Sequence, residues 1–495
     1  TQLPITQVDY SFLPEAAQAT AVPEWLDEAV GRPFSLTTDH LIRVSLLRLS
    51  DEQHILVIVM HHIITDGWSM DVFTQEFWQL YRALVQGETS QLPEMPLQYA
   101  DFAAWQRSWL QGEMLEQQVA YWHNRLASAP DRLNLPTDLP RPRMQSTAGT
   151  LHSATLSGAL AHTLRHFSHA HSATLFMTLF AAYNVLLYRH SQQNDIVVGA
   201  PSANRNHPEI ERLIGFFVNM LPLRTQLVGQ ESFLTLLDQA RQTVLEGYSH
   251  ESVPFEQVVN AVNAPRDTSY TPVFQVAFSL ENASAPLTPL ANLAVTTLPV
   301  LRHTAKYDLS LFVTETDDGL VCTWEYCTDL FLPETIARLH SHFETLLEGI
   351  VAEPGTAVAQ LPLLAAAETQ AILHQSQGQV DDTIPTICLH QQFEQWVEQQ
   401  PEVTAVTDEH ESLTYQQLNQ RANQLARLFI QHGVQPGQPL AIHLPGSVPA
   451  ITAILACHKA RAAYVPFDPA YPDQRLQFML DDTATPIILT NSTLD

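Results

Sequence analysis

The chain has 495 residues, 45% hydrophobic and 15% charged, a composition suited to globular domains with large buried cores, about three of them at typical domain size. Lys plus Arg is 24 against 52 Asp plus Glu, a formal net charge of -28, which argues against nucleic acid or an anionic membrane as the main partner. The four cysteines, Cys322, Cys327, Cys388 and Cys457, form no CxxC pair, and there is no apolar run of about 18 residues and no basic-apolar leader. Zinc ribbons, membrane spans and signal peptides are therefore not expected, and a reduced, cytoplasmic setting is.

The opening, residues 1–33, shows no clear cap or turn, and the chain is expected to begin inside a domain. Residues 41–49 alternate like a strand, Asp51-Glu52-Gln53 makes a turn, and Ile55 to Met60 returns. The returning run is short, β-branched and without helical periodicity, so it reads as a strand buried on both faces. It leads into Met60-His61-His62-Ile63-Ile64-Thr65-Asp66-Gly67-Trp68-Ser69. Neighbouring strand residues point to opposite sides, so one imidazole can face a cleft while the other packs. Gly67 admits a turn that a Cβ would strain. A neutral imidazole in a cleft can take a proton from an attacking amine. Two readings compete with this: a satisfied surface or core histidine, and a metal site, for which no third soft ligand lies nearby. Ser69 can cap a helix reaching about Leu84, with Phe73, Phe77, Leu80 and Leu84 on one face, and Gly87 ends it.

Tyr99, Phe102 and Trp105 share a helical face and read as core, in a helix continuing to about Ser128. Pro136, Pro140 and Pro142 mark an extended connector, so two lobes meet near residues 130–150. The second lobe reads as a strand at 150–156, helices at 158–170 and 173–190, and a strand at 195–199 running into the loop Ala200-Pro201-Ser202-Ala203-Asn204-Arg205. A strand across Ile214 to Arg224 follows, with Gly215 allowing a close approach. After it come a helix at 232–246, a proline-started turn at His250 to Glu256 into another helix, and a strand at 273–279. A hairpin at 309–326 turns across Asp317-Asp318-Gly319, and a helix runs from Pro333 to about Val351. Residues 352–385 have linker composition. Beyond Cys388, strands and helices alternate, which predicts a parallel α/β unit.

Taken in order, five segments resemble the condensation domains of nonribosomal peptide synthetases: the HHxxxDG segment at His61 to Ser69, Tyr99 to Trp105, Ile214 to Arg224, His250 to Glu256, and Arg266 to Pro272. The family's two earliest motifs are absent. Leu413-Thr414-Tyr415-Gln416-Gln417-Leu418 and Lys459 to Asp468 resemble the first two motifs of an adenylation domain, with Arg461 where that family usually has glycine.

The resemblance implies an α/β chain: a two-lobed, chloramphenicol-acetyltransferase-like α+β condensation domain with a tunnel between its lobes, then a partial α/β adenylation subdomain. Its parts would be a truncated first lobe at 1–145, a second lobe at 146–360, a linker at 361–385 and the adenylation start at 386–495. It implies amide-bond formation between carrier-tethered thioesters, of the type joining two L-residues; epimerisation, carrier docking without chemistry, and acyl transfer from coenzyme A are the alternatives. His62 would orient the acceptor amine and take its proton, or steady the tetrahedral intermediate. His61 would position the loop, and Asp66 would pair with an arginine, for which Arg205 in the other lobe is the candidate. Gly67 would serve the turn or offer its N–H. Trp68, Ser69, Asn219 and Arg266 are tunnel or substrate candidates, while Tyr99, Trp105 and Phe255 are core. The implied partners are upstream and downstream peptidyl carrier proteins, which lie outside this chain because it has no Gly-Gly-x-Ser sequence, and the rest of the adenylation domain. No cofactor is expected to bind directly: phosphopantetheine arms of the carriers deliver the substrates. ATP and Mg belong to a complete adenylation domain, and no adenylation is expected from residues that carry no Ser/Thr/Gly-rich phosphate loop.

Overall fold

The computed structural model describes residues 3–89, 92–265, 267–281, 293–298, 303–378 and 386–491. It divides into two compact units, Thr1–His374 and Gln375–Asp495.

The first lobe of the first unit is a three-stranded sheet. β1 (Ile5–Asp9) leads into α1 (Glu15–Gly31), then β2 (Ile42–Arg48) and β3 (His54–Met60). The sheet order is β1-β2-β3, with β1 parallel and β3 antiparallel to β2, in register from Ile42–Met60 to Arg48–His54. The expected hairpin is present, but β3 is an edge strand: only Val57 on it is buried, and Leu56 is 41% exposed. The apolar run that suggested burial on both faces instead covers one thin sheet. β1 and α1 escaped the sequence reading for local reasons. α1 has no capping side chain at Pro14 and carries Pro23 inside, so the usual start and interior signals are missing. α2 (Gly67–Gln86) closes on Gly87 at φ 71, as a left-handed C-terminal glycine should.

The expected long helix is two, α3 (Tyr99–Trp109) and α4 (Gly112–Leu126), broken where Gly112 takes φ 57. α4 belongs with the second lobe's core: Trp122 is 1% exposed and Leu126 5%, and the Trp122 indole donates to the His250 carbonyl at 2.9 Å. The connector behaves likewise, with Leu133 in the same core and Arg141 donating to Asp308 at 3.0 Å. The expected first lobe at 1–145 thus includes segments that pack on the second-lobe core, from Leu115 in α4 onward.

The second lobe comprises β4 (Gly149–Ser157), α5 (Gly158–Ala170), α6 (Leu175–Ser191), β5 (Asp195–Ser202), β6 (Asn219–Gln226), α7 (Phe233–Ser249), α8 (Phe255–Ala261), β7 (Val276–Glu281), β8 (Leu309–Thr316), β9 (Gly319–Cys327) and α9 (Pro333–Ala352). Its sheet runs β4-β9-β8-β7-β5-β6. The β8–β9 hairpin turns at Gly319, as expected. α6 is buried nearly all round, from Met177 to Leu187, and packs with Trp324 and Phe343 in one continuous core. The strand expected across 214–224 begins only at Asn219. Residues 203–218 are a long excursion between β5 and β6, which pair from Asp195–Gln226 up to Ser202–Asn219. Both ends of that excursion are thus held side by side.

Within the stretch read as linker, Leu361 is 1% exposed in the second-lobe core, and α10 (Ala366–Ser376) follows. The second unit has α11 (Leu389–Gln399), β10 (Thr404–Thr407), β11 (Ser412–Thr414), α12 (Tyr415–Gln431), β12 (Pro439–His443), α13 (Val448–Lys459), β13 (Ala463–Phe467), α14 (Asp473–Thr483) and β14 (Ile488–Leu489). β12 lies parallel between β13 and β14, as the alternation predicted. Among the described residues no single helix is long and apolar enough to cross a membrane.

Gly199 tests the packing of the second sheet. A Cβ there would sit 2.2 Å from the Phe274 ring, and Phe274 is fully buried. Gly199→Ala is expected to destabilise the chain by about 1–3 kcal/mol, read as a lowered midpoint in denaturant unfolding.

Candidate active site

The segment after β3 is built by its own backbone. The His61 N–H holds to the Leu41 carbonyl at 2.9 Å, while its Nδ1 accepts the Ile63 N–H at 3.1 Å, so His61 caps a 3-10 turn over His62–Ile64. His61 also meets Phe34 edge-on, ring centroids 5.9 Å apart. It is this turn, not strand alternation, that sends the two imidazoles different ways. His62 is an exposed residue, with its Nδ1 2.7 Å from the Thr65 carbonyl. A carbonyl only accepts, so Nδ1 is the nitrogen that carries the proton in the neutral ring, and Nε2 is then the acceptor. From the other lobe, Phe216 stands nearly perpendicular to the ring, centroids 5.2 Å apart.

Asp66 is the buried centre. It is 5% exposed and caps α2, its Oδ1 accepting the Ser69 N–H at 2.8 Å. Oδ2 accepts the N–H groups of Phe217 at 2.9 Å and Val218 at 3.3 Å. Arg205 donates to Oδ1 at 3.3 Å, with the two side chains 1% and 4% exposed. Burial by itself pushes the Asp66 carboxyl up. Hydrogen bonds from Ser69 and Phe217, with the Arg205 charge, outweigh it and hold the group below the ordinary carboxylate value. Burial likewise lowers Arg205, with Asp66 opposing.

Arg205 also binds the carbonyls of Ile210 at 2.6 Å and Leu213 at 2.8 Å and the Ser69 hydroxyl at 2.7 Å, and its guanidinium lies 4.0 Å from the Phe217 ring centroid. Ser69, fully buried, donates to the Gly215 carbonyl at 2.8 Å and accepts the Gly215 N–H at 3.1 Å. Further out, Trp68 Nε1 donates to the Glu211 carbonyl at 2.8 Å, and Arg212 pairs with Glu76 at 2.9 Å. The start of α2 and the 203–218 excursion are thereby latched together across the lobes.

His61, His62, Asp66, Gly67, Trp68, Ser69 and Arg205 therefore converge on one place, but several differ from expectation. Ser69 is sealed inside the latch and faces no substrate; Asp66, not Ser69, caps the helix. Gly67 opens α2 without a positive φ, and a Cβ on it would meet nothing within 4 Å, so no strained turn needs it. Asn219 grips the next turn instead of facing a passage, donating to the carbonyls of Glu251 at 2.7 Å and Val253 at 2.6 Å. Trp105 is 43% exposed and stacked on Trp109, not core. Arg266 lies outside the described residues. Tyr99 does more than pack: its hydroxyl donates to the Phe216 carbonyl at 2.8 Å, and a Cβ on Gly215 would fall 2.1 Å from its ring. Phe216 was hidden in the sequence because the surrounding residues read as strand. Among the described residues, no three of His, Cys, Asp and Glu group to hold a metal ion.

Two outcomes follow from the latch. Breaking one side of a buried pair costs about 3–5 kcal/mol, so Asp66→Ala should destabilise strongly in denaturant unfolding, while adding Arg205→Met should recover part of the loss by removing the stranded charge. A carboxyl held below its ordinary value contributes stability that is present above the unfolded value of about 4 and lost as pH falls through the folded value. The stability advantage of wild type over Asp66→Asn should therefore shrink from about pH 4 downward, as measured by unfolding at each pH.

Comparison with known proteins bears on this site. The family model described as condensation domain matches residues 2–373, and that described as AMP-binding enzyme matches residues 393–495. One of the linear gramicidin synthase proteins of Brevibacillus parabrevis is 42% identical over 492 residues, covering 99% of this chain and 6% of that protein. Malpinin synthetase of Mortierella alpina is 40% identical over 477 residues, covering 96% of this chain and 6% of that protein. The chain thus spans less than a tenth of the length of either relative. Among solved structures, the X-domain from teicoplanin biosynthesis is similar with a TM-score of 0.67 at 27% identity, over 74% of this chain and 82% of that one. A four-domain nonribosomal peptide synthetase bound to AMP and glycine shares the fold with a TM-score of 0.73 at 22% identity, over 100% of this chain and 38% of that one.

Proposed function

This chain belongs to the condensation-domain family, and from that premise we propose that its first unit forms amide bonds between two thioester-tethered substrates in nonribosomal peptide biosynthesis. The carrying observation is the asymmetry of His62: its Nδ1 is committed to the Thr65 carbonyl in an exposed residue, so the neutral ring has Nε2 to accept with. An acceptor amine attacks the donor thioester carbon; the C–N bond forms as Nε2 takes the amine proton. The C–S bond then breaks, and the proton passes to the departing thiolate. The 3-10 turn orients the imidazole, and the Asp66–Arg205 latch holds that turn against the second lobe.

The finer parts of this reading rest on motif resemblance: joining of two L-residues, delivery by phosphopantetheine arms of upstream and downstream carrier proteins, and a cytoplasmic setting. We also propose that residues 386–495 do not adenylate by themselves, since a phosphate-cradling Gly-rich loop is not among them.

The test uses the chain within its full synthetase module, with loaded donor and acceptor carriers, following dipeptidyl-carrier by mass spectrometry. His62→Ala is expected to lower the rate by about a hundredfold or more. Undiminished product would remove His62 from the mechanism, and exchange of the substrate α-proton into solvent would point to epimerisation instead.

A further inference from the structure

We propose that Phe216 is a positioning residue for the His62 imidazole. The proposal rests on the reading of His62 as the proton acceptor and names the group that aims it. Three observations carry it. The Phe216 ring meets the His62 ring at 80°, centroids 5.2 Å apart, a favoured edge-to-face geometry. Phe216 is 40% exposed, so core burial does not explain a large apolar residue here. Its backbone, in contrast, is immobilised on both sides. Gly215 is bonded through both N–H and C=O to Ser69, the Phe216 carbonyl takes the Tyr99 hydroxyl, and the Phe217 N–H is bound by Asp66. The second lobe thus presents one aromatic ring at a fixed place against the histidine of the first.

The imidazole needs such a restraint. Its hydrogen bond to Thr65 fixes where Nδ1 lies but resists tilting of the ring only weakly. A perpendicular aromatic wall limits the tilt, and with it the direction of the Nε2 lone pair. Because the two rings come from different lobes, the aim of Nε2 depends on the same latch that binds Asp66 to Arg205.

Two readouts on the full chain test this. In nitrogen NMR of histidine-labelled protein, with the His62 signals assigned by their absence in His62→Gln, wild type should show His62 as one tautomer protonated at Nδ1. Phe216→Ala should keep that tautomer but broaden the His62 ring signals as the imidazole gains freedom to tilt, and Phe216→Tyr should restore the wild-type line. In the dipeptide assay, Phe216→Ala should lower kcat about threefold to tenfold with KM unchanged, and Phe216→Tyr should rescue it. His62 ring signals in Phe216→Ala as narrow as in wild type, or a change confined to KM, overturn the proposal. If wild type forms no dipeptide yet the His62 signals broaden in Phe216→Ala, the positioning role stands and the amide-forming reading falls.

Discussion

The site depends on one carboxylate kept ionised out of water. Burying Asp66 carries a desolvation cost that is tolerable only when its oxygens are fully engaged. They are: the Ser69, Phe217 and Val218 N–H groups and the Arg205 guanidinium all point at it. Three of these donors come from the 203–218 excursion, far along the chain, and one from the carboxylate's own helix. Satisfying the charge and joining the lobes are therefore a single event. The helix cap is part of it, because the same oxygen serves the Ser69 N–H and Arg205.

From that fixed point the histidine inherits its place. Asp66 closes the segment that begins at His61, and only the short turn His62–Ile64 and its cap Thr65 lie between the two. A turn anchored at one end by β3 and at the other by a buried ion pair has little freedom. Within it, each histidine commits its Nδ1 to the backbone, His61 accepting the Ile63 N–H and His62 facing the Thr65 carbonyl, so the two rings are held by opposite hydrogen-bonding roles. Local hydrogen bonding thus sets the two adjacent histidines in different orientations.

The second lobe is the rigid partner. Its six-stranded sheet and continuous core hold β5 and β6 in register up to Ser202 and Asn219, and the excursion leaves and re-enters at that pair. Asn219 pins the re-entry to the turn at Glu251 and Val253. Arg205 near one end of the excursion and residues 215–218 at the other are thereby offered to Asp66 together, brought near by the strand pairing and by Arg205's own bonds to the Ile210 and Leu213 carbonyls.

The residues alone determined a good deal: the β2–β3 hairpin with its histidine segment, most helices of the second lobe, the parallel strands of the second unit, and the family. These rest on period, caps, turn residues and motif spacing, all local signals. Local signals also failed in identifiable places. α1 lacks a side-chain cap and contains a proline, the 214–218 apolar run imitates a strand, and β3 reads as buried although it is an edge strand. What tertiary structure decided was of another kind. Arg205 followed from the sequence only as a candidate partner for Asp66. That Ser69 is sealed between Arg205 and Gly215, that α4 packs on the second sheet, that Trp105 stays exposed and that Phe216 stands against His62 depend on contacts between residues distant in the chain. Such contacts leave no periodic trace, because a hydrogen bond or an aromatic edge is satisfied by whatever the fold brings near, not by what is adjacent along the backbone.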